Sequence, residues 1–166
     1  MSFLAVPDTA HTHAGPPVAV LVVDDQMAVR EGLARLIVCA PLRLRGIATA
    51  ASAADALRLA AQLRPEVVLL DVDLAGEDGL ALIGQFGPAA GVLVLSCHGD
   101  AATRARAAML GARAFVEKHQ PAAELLAALV AVATLQTRGE KHPLPMGQST
   151  CLPPVASSAA RQPGRL

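Results

Sequence analysis

The sequence is poor in aromatic residues and has no excess of charge of either sign. It contains no Trp, no Tyr and three Phe among 166 residues, while hydrophobic residues make up 53% of the chain, so its core must be aliphatic. Basic and acidic residues balance at 14 each. A chain without a field of one sign lacks the electrostatic footprint that nucleic acids or anionic membranes attract. Direct nucleic-acid binding by this chain is therefore not expected.

Paired cysteines and long hydrophobic runs are also missing. The three cysteines, Cys39, Cys97 and Cys151, are scattered without CxxC spacing. This odd number argues against a disulfide framework and favours reduced thiols. The N-terminus lacks a basic region ahead of an apolar run, and no window approaches the ~20 apolar residues of a membrane span. A soluble, cytoplasmic protein is expected.

The chain divides into three segments of different character. Residues 1–17 form a polar leader closed by Pro16 and Pro17, and residues 138–166 carry five prolines without apolar periodicity. Such a composition cannot bury enough apolar surface to fold, which predicts a flexible leader and a disordered tail. Residues 18–137 between them are expected to form one domain.

From residue 18 onward, short apolar runs alternate with segments of helical periodicity. The run VAVLVVDD is almost wholly apolar, as expected of a parallel strand covered on both faces. The next segment has apolar residues at i, i+4, i+7 and i+8, the spacing of a helix with one buried face: Val29, Leu33, Leu36 and Ile37. This alternation recurs five times. It predicts an α/β fold, (βα)5, with a parallel sheet between helices on both sides.

Several predicted helices carry local start and stop signals. Ser52 with Asp55 three residues later resembles a capping arrangement, and Pro65 should end that helix. A short helix is expected over Gly79–Phe86, with Gly79 serving the geometry of its start. Pro121 is expected to open the last helix of the domain.

Polar residues stand at the ends of four of the predicted strands. The first strand ends in Asp24 and Asp25, the third in Asp71, the fourth in Ser96 and the fifth in Lys118. Taken alone, the Asp pair could equally form a turn or a helix cap. In an open parallel sheet, however, ligands bind at the carboxyl ends of the strands. These side chains are therefore expected to meet at one edge.

Carboxylates gathered in this way need a cation between them. Without one, they would repel and raise one another's pKa values. Mg²⁺ prefers oxygen ligands and typically takes one or two carboxylates plus phosphate oxygens. Lys118 could then offset charge on a phosphoryl group, and Ser96 could donate a hydrogen bond to it. Because phosphoryl transfer is catalysed mainly by positioning and charge stabilisation, these residues indicate phosphate chemistry with Mg²⁺.

The segments that carry these residues resemble the response-regulator receiver domains of bacterial two-component systems, over about residues 18–135. VLVVDDQMAVREGL is similar to the first strand and helix of receivers that usually carry a DNA-binding output domain. LLDVDLAGEDGL follows the pattern D-x-x-x-P-x-x-D-G, with Ala75 where proline is usual, while VLVLS and GARAFVEK supply the hydroxyl and lysine segments. The resemblance implies a flavodoxin-like, doubly wound, five-stranded parallel sheet with strand order 2-1-3-4-5.

The resemblance also implies roles for the acidic residues. Asp71 would accept the phosphoryl group from a histidine kinase or phosphotransfer protein. Asp25 and Asp71 would bind Mg²⁺ through their side chains and Asp73 through its backbone carbonyl. Asp24 would act directly or through a metal-bound water. The chain would then be a signalling phosphoacceptor that assists its own phosphorylation and dephosphorylation, not an enzyme with an external substrate.

Three further residues complete this expectation. Ser96 and Lys118 would hold phosphoryl oxygens, and Phe115 occupies the position of the family's aromatic switch residue. Phosphorylation would change a surface that a downstream protein target recognises. The sequence leaves open whether the phosphorylated chain forms a homodimer. On residue pattern alone, an aromatic on a strand is more often plain core, so the switch role of Phe115 rests on the resemblance.

Two other interpretations remain at this stage. DVD after an apolar strand also resembles the DxD motif of haloacid-dehalogenase-type phosphatases, with Asp71 as nucleophile and Asp73 as general acid. Those proteins place their acidic metal-binding pair after the hydroxyl and lysine motifs, whereas here it comes first. A phosphorylation-independent interaction module would keep the fold and lose the chemistry. His119 stands where the family often has proline, so the sequence leaves the Lys118–His119 bond cis or trans.

Overall fold

Five parallel strands form the central sheet of the structure, a computed structural model that describes residues 15–139. In chain order they are β1 (Val18–Val23), β2 (Leu44–Ala50), β3 (Val67–Asp71), β4 (Gly91–Ser96) and β5 (Ala114–Glu117). They lie in the order β2-β1-β3-β4-β5 across the sheet. The predicted flavodoxin-like order 2-1-3-4-5 is therefore confirmed.

The three central strands are buried along their whole length. Every residue of β1, β3 and β4 is buried, whereas β2 and β5 at the edges are partly exposed. Continuous runs of Val, Leu and Ala suit this position, because helices cover both faces of a parallel sheet. The same continuity brings the carboxyl ends of the three strands side by side, where β1 pairs with β3 and β3 with β4.

Helices connect the strands and cover the sheet. They are α1 (Met27–Val38), α2 (Ala53–Leu63), a 3₁₀ helix (Gly79–Gln85), α3 (Ala101–Met109) and α4 (Ala122–Arg138). The expected cap of α2 is present, since Ser52 Oγ accepts a hydrogen bond from the Asp55 amide at 3.3 Å. This helix ends at Arg64 in the left-handed conformation, directly before Pro65. Pro121 precedes α4 as its N-cap residue.

Two aliphatic cores lie on opposite faces of the sheet. One packs α1 and α4 against the sheet, with Ile37 and Leu129 fully buried. The other packs α2, the 3₁₀ helix and α3, and it contains Phe115. Burial of Leu, Val and Ile side chains at roughly 1.5–3 kcal/mol each supplies most of the driving force for this arrangement. The sheet thus holds its carboxyl edge between two packed layers, which is where the predicted site residues lie.

A small hairpin after β3 was not predicted from the sequence. Its two short strands, Asp73–Leu74 and Glu77–Asp78, pair antiparallel around Ala75 and Gly76. Both turn residues have positive φ, +55° for Ala75 and +88° for Gly76, as in the two-residue turns that match the twist of a hairpin. Proline is held near a φ of −65° and could not adopt this conformation at position 75. The departure from the family pattern at Ala75 therefore has a backbone consequence.

Most of the two terminal segments lies outside the described residues. Of the leader predicted for 1–17 and the tail predicted for 138–166, the structure describes residues 15–17 and 138–139 alone. These domain predictions stay predictions, as does the state of Cys151, while Cys39 and Cys97 are free and exposed. Among the described residues, no helix has both the length and the apolar character needed to cross a membrane.

Candidate functional site

Three carboxylates meet at the carboxyl edge of the sheet. Asp24 and Asp25 follow β1, and Asp71 ends β3, the strand that pairs with β1. One oxygen from each of the three carboxylates lies within 4.8 Å of the other two. Asp24 is fully buried, Asp71 is 4% exposed and Asp25 is half-buried. The structure therefore brings together the acidic residues that the sequence placed at strand ends.

A single ammonium group joins two of these carboxylates. Lys118 Nζ donates hydrogen bonds to Asp24 Oδ2 at 2.7 Å and to Asp71 Oδ2 at 2.6 Å. The lysine follows β5 and reaches across the end of β4, and its side chain is 15% exposed. Charge-assisted bonds of this length are among the stronger hydrogen bonds in proteins. Lys118 is thus part of the acidic cluster.

Burial and charge act differently on the two partners of this contact. Burial raises the pKa of Asp71, and the like charge of the Asp24 carboxylate adds to the rise. The hydrogen bond and the positive charge of Lys118 oppose the rise without cancelling it. Burial also disfavours the charged form of Lys118, but its hydrogen bonds to Asp24 and Asp71 outweigh that penalty and raise the pKa of the lysine. The cluster therefore favours the protonated form of Lys118 and disfavours the charged form of Asp71.

The donor set suits a hard divalent cation. Three carboxylates meet in the cluster, and the Lys118 ammonium contacts two of them, so the carboxylates outnumber the ammonium. Carboxylate oxygens are the ligands that Mg²⁺ and Ca²⁺ prefer. The side chain of Asp73 does not join the cluster. It is exposed, and its Oδ1 accepts a hydrogen bond from the Gly76 amide at 2.8 Å, so a ligand role for Asp73 would involve its backbone carbonyl alone.

Arg30 supports the loop that presents the acidic pair. Its Nη1 donates to the carbonyl oxygens of Asp24 at 2.7 Å and Asp25 at 2.8 Å. In the same loop, the Gln26 amide donates to Asp24 Oδ1 at 2.8 Å, a local turn that leads into α1. One carboxylate oxygen of Asp24 thus closes the turn, and the other accepts the hydrogen bond from Lys118. Sequence reasoning missed Arg30, although its position one helical turn into α1, facing the loop, was a usable signal.

Gly79 makes room for the backbone of the candidate phosphoacceptor. A Cβ atom at this position would overlap the carbonyl oxygen of Asp71. The Gly79 amide also donates to the carbonyl of Val72 at 2.8 Å, which closes the loop after β3. The sequence indicated helix-start geometry for Gly79, and the 3₁₀ helix does begin there. The close approach to Asp71 is an additional reason for glycine that the sequence alone could not reveal.

The hydroxyl of Ser96 faces its own loop. Its Oγ donates to the carbonyl of His98 at 2.7 Å and accepts from the His98 amide at 3.2 Å. Ser96 is buried at the end of β4, and its carbonyl accepts from the Lys118 amide at 2.8 Å. The two loops that carry Ser96 and Lys118 are thus tied together by backbone, while the hydroxyl itself is engaged with His98.

Phe115 lies inward on β5, beneath the side chain of Arg104. The ring is 9% exposed, and the Arg104 guanidinium carbon lies 4.4 Å from its centroid.

The Lys118–His119 peptide bond, which the sequence left as cis or trans, is trans, as is every peptide bond among the described residues. The turn after β5 is closed by the Gln120 amide, which donates to the Glu117 carbonyl at 3.0 Å.

The comparisons with known proteins agree on one family. A family model described as the response regulator receiver domain matches residues 20–130. The chain is 34% identical over 122 residues to the transcriptional regulatory protein LnrK of Bacillus subtilis (strain 168), covering 69% of this chain and 53% of that protein. It is 32% identical over 117 residues to the transcriptional regulatory protein UhpA of Salmonella typhimurium, covering 70% and 59%. The chain spans about half the length of such curated relatives.

Solved structures give the same picture. A two-component response regulator of the LuxR family from Aurantimonas sp. SI85-9A1 superposes with a TM-score of 0.66 at 33% identity, covering 72% of this chain and 86% of that one. A response regulator protein from Burkholderia pseudomallei, solved with a phosphorylated aspartic acid, a calcium ion and citrate, gives a TM-score of 0.61 at 28% identity, with coverages of 74% and 72%. The chain thus resembles response regulators both in sequence and in the course of its backbone.

Proposed function

This chain belongs to the response regulator receiver domain family, and from that premise we propose that Asp71 is the residue that accepts a phosphoryl group in two-component signalling. The observation that carries the proposal is the contact of one ammonium, that of Lys118, with Asp71 Oδ2 at 2.6 Å and Asp24 Oδ2 at 2.7 Å. The phosphorylated aspartic acid in the Burkholderia relative supports the same chemistry.

In the proposed reaction, a carboxylate oxygen of Asp71 attacks the phosphorus of a phosphohistidine on a partner histidine kinase or phosphotransfer protein. The P–O bond to Asp71 forms as the P–N bond breaks, and the electron pair stays on the imidazole nitrogen, which takes up a proton from solvent. The product is an acyl phosphate. Because Asp71 ends a buried strand, its carboxylate is held in one place, and positioning of this kind is the larger part of phosphoryl-transfer catalysis.

Asp25 and Asp71 would hold Mg²⁺ through their side chains, with the carbonyl of Asp73 and, directly or through a water, Asp24. When bound, Mg²⁺ supplies positive charge that offsets the charge on the phosphoryl oxygens. Lys118 supplies the protein's own counter-charge. It already bridges Asp24 and Asp71, so it can turn toward a phosphoryl oxygen on Asp71 while it keeps its bond to Asp24.

Ser96 gives the phosphoryl group a second protein contact. To donate to a phosphoryl oxygen, its hydroxyl must give up the His98 carbonyl, to which it now donates at 2.7 Å. We propose that this exchange, together with the neighbouring Phe115, alters the surface of α3 and β5 that a downstream protein reads. In this proposal the chain acts in the cytoplasm as a phosphoacceptor and not as an enzyme on an external substrate. It makes no direct contact with nucleic acid. One form of its output is a homodimer that depends on phosphorylation.

Incubation with Mg²⁺ and a small phosphodonor such as acetyl phosphate tests this proposal by intact mass. The wild-type chain should gain one phosphoryl group that is lost in hydroxylamine, as expected of an acyl phosphate, and Asp71→Asn should gain none. Asp55→Asn is the matched control, because Asp55 lies on α2 with half of its side chain exposed, and this change should leave the mass gain unaltered.

Two results would overturn the proposal. Continuous release of phosphate from the donor, without an accumulating adduct, would identify a phosphatase. Absence of both adduct and turnover in a folded sample would identify a phosphorylation-independent interaction module.

A further inference from the structure

An ion pair between Arg104 of α3 and Glu117 of β5 lies across the loop that follows Ser96. Arg104 Nη2 lies 2.7 Å from Glu117 Oε1, and the two side chains are 27% and 21% exposed. Between them passes Gly99, where a Cβ atom would overlap both the guanidinium and the carboxylate. The pair therefore rests directly on the loop backbone, three residues after Ser96. We call it the latch.

The latch also covers Phe115. The Arg104 guanidinium that reaches Glu117 lies 4.4 Å from the Phe115 ring centroid, within the range of a cation–π contact. One side chain thus touches the loop after β4, the aromatic ring of β5 and the carboxylate two residues beyond that ring. The other carboxylate oxygen of Glu117, Oε2, lies 3.1 Å from Nε2 of the exposed His119.

Helix α3 has little else to hold it. Of its residues, Ala107 alone is buried, so the apolar contribution to its docking is small. Its other contact of this kind is the ion pair of Arg106 with Asp78 at the end of the hairpin. Of these two arginines, Arg104 alone lies against the backbone of Gly99, in the loop that leads from Ser96 into α3. The position of that loop should therefore depend on the latch, whereas Arg106 contacts the hairpin.

We propose that the latch holds Ser96 in its present arrangement, in which the hydroxyl is bonded to His98, and so sets the energy needed for Ser96 to turn toward a phosphoryl group on Asp71. Arg104 and Glu117 are positioning residues, because they touch the loop and not the reacting atoms. This inference rests on the proposed phosphoacceptor function. It adds that the strength of a single ion pair regulates how readily the site engages its ligand.

Hydrogen exchange of the His98 amide tests the latch without metal or phosphate. This amide donates to Ser96 Oγ at 3.2 Å, so it is protected while Ser96 faces its loop. A partly buried ion pair with a cation–π contact predicts roughly three- to tenfold faster exchange, read by NMR, in Arg104→Ala and in Glu117→Gln. Arg106→Ala is the matched control, because it removes an ion pair from the same helix without touching Gly99 or Phe115. Unchanged exchange in both latch variants, or equal acceleration in the control, would overturn the proposal.

Titration with beryllofluoride in the presence of Mg²⁺ then tests the link to Ser96. Loss of the latch should tighten binding of this phosphoryl analogue by roughly three- to tenfold, and the gain should vanish when Ser96→Ala is added. A gain that survives in Ser96→Ala, or weaker binding in Arg104→Ala, would refute the role of the latch. If the wild-type chain does not bind beryllofluoride at all, the phosphoacceptor function fails instead, which keeps the two failures distinct.

Discussion

The ammonium of Lys118 balances carboxylates that come from two different strands. Asp24 and Asp71 are nearly inaccessible to solvent, so their charges cannot be screened by water as surface charges are. The raised pKa of Lys118 means that the folded state holds this proton more tightly than the unfolded chain does. Its contribution to stability is therefore fully present below the ordinary lysine pKa of 10.5 and fades as the pH rises through the folded pKa.

Removal of this ammonium should destabilise the fold at neutral pH. We expect Lys118→Met to lower the free energy of unfolding by about 3 kcal/mol in the absence of divalent cations, because two buried carboxylates would lose their shared partner. Urea denaturation followed by circular dichroism measures this, since the chain has no Trp or Tyr to report by fluorescence.

Arg58→Met is the control for that measurement. It breaks an exposed ion pair with Asp55 on α2, and such pairs typically contribute about 0–1 kcal/mol. Equal stability of Lys118→Met and the wild-type chain would contradict the view that the ammonium holds the cluster together.

Individual contacts around the site differ in how far sequence could predict them. Asp24, Asp71 and Lys118 were predictable, because the carboxyl ends of parallel strands must share an edge. Arg104 and Gly99 were not, since their contacts arise only when α3 packs beside β5, and an arginine in an Ala-rich helix carries no local signal for a partner 13 residues away.

At the scale of elements, alternating apolar runs predicted all five sheet strands, and helical periodicity predicted their connections. Short strands buried on both faces leave a strong signal, because nearly all of their residues before the carboxyl end are apolar. The hairpin at 73–78 left none. Asn-Gly is the usual sequence marker of its turn type, whereas Ala-Gly at positions 75 and 76 gives no indication that residue 75 has a positive φ. That element was set by tertiary context and not by local propensity.

The hairpin turn gives a prediction about its own stability. Ala75 has a φ of +55°, a conformation that costs a residue with a Cβ atom roughly 1–2 kcal/mol. Ala75→Asn should raise the free energy of unfolding by about 0.5–1 kcal/mol, since Asn tolerates this conformation better. Ala75→Pro, which restores the family's usual residue, should lower it. Both changes are measured by urea denaturation.

Ala89→Asn is the matched control for the hairpin variants. Residue 89 is an exposed turn position without a positive φ, so the same change should have little effect there. Stabilisation by Ala75→Pro would contradict the turn geometry described for this hairpin.

At the scale of the whole molecule, the sheet couples the acidic cluster to global stability. Asp24, Asp25 and Asp71 converge only in the folded chain, so a cation that binds them stabilises the native state by mass action. Mg²⁺ at ten times its dissociation constant should add about 1.4 kcal/mol to the free energy of unfolding. Thermal unfolding followed by circular dichroism should show the gain, and EDTA should reverse it.

Variants locate that gain in the cluster. Asp25→Asn should lose most of the Mg²⁺ effect, because it removes a carboxylate of the cluster, whereas Asp55→Asn on α2 should retain it. An equal Mg²⁺ response in all three proteins would point to nonspecific ion effects and would argue against a metal site at this edge of the sheet.

The contact of Lys118 with Asp24 joins residues 94 positions apart, and its contact with Asp71 joins residues 47 apart. Such distant closures come late in folding, since loop entropy opposes them until most of the sheet exists. A nascent chain that has emerged from the ribosome through β4 would already present its aspartates but would lack the ammonium of Lys118. The charge-balanced cluster would thus be complete only with the finished fold, and unfinished copies of the chain would lack it.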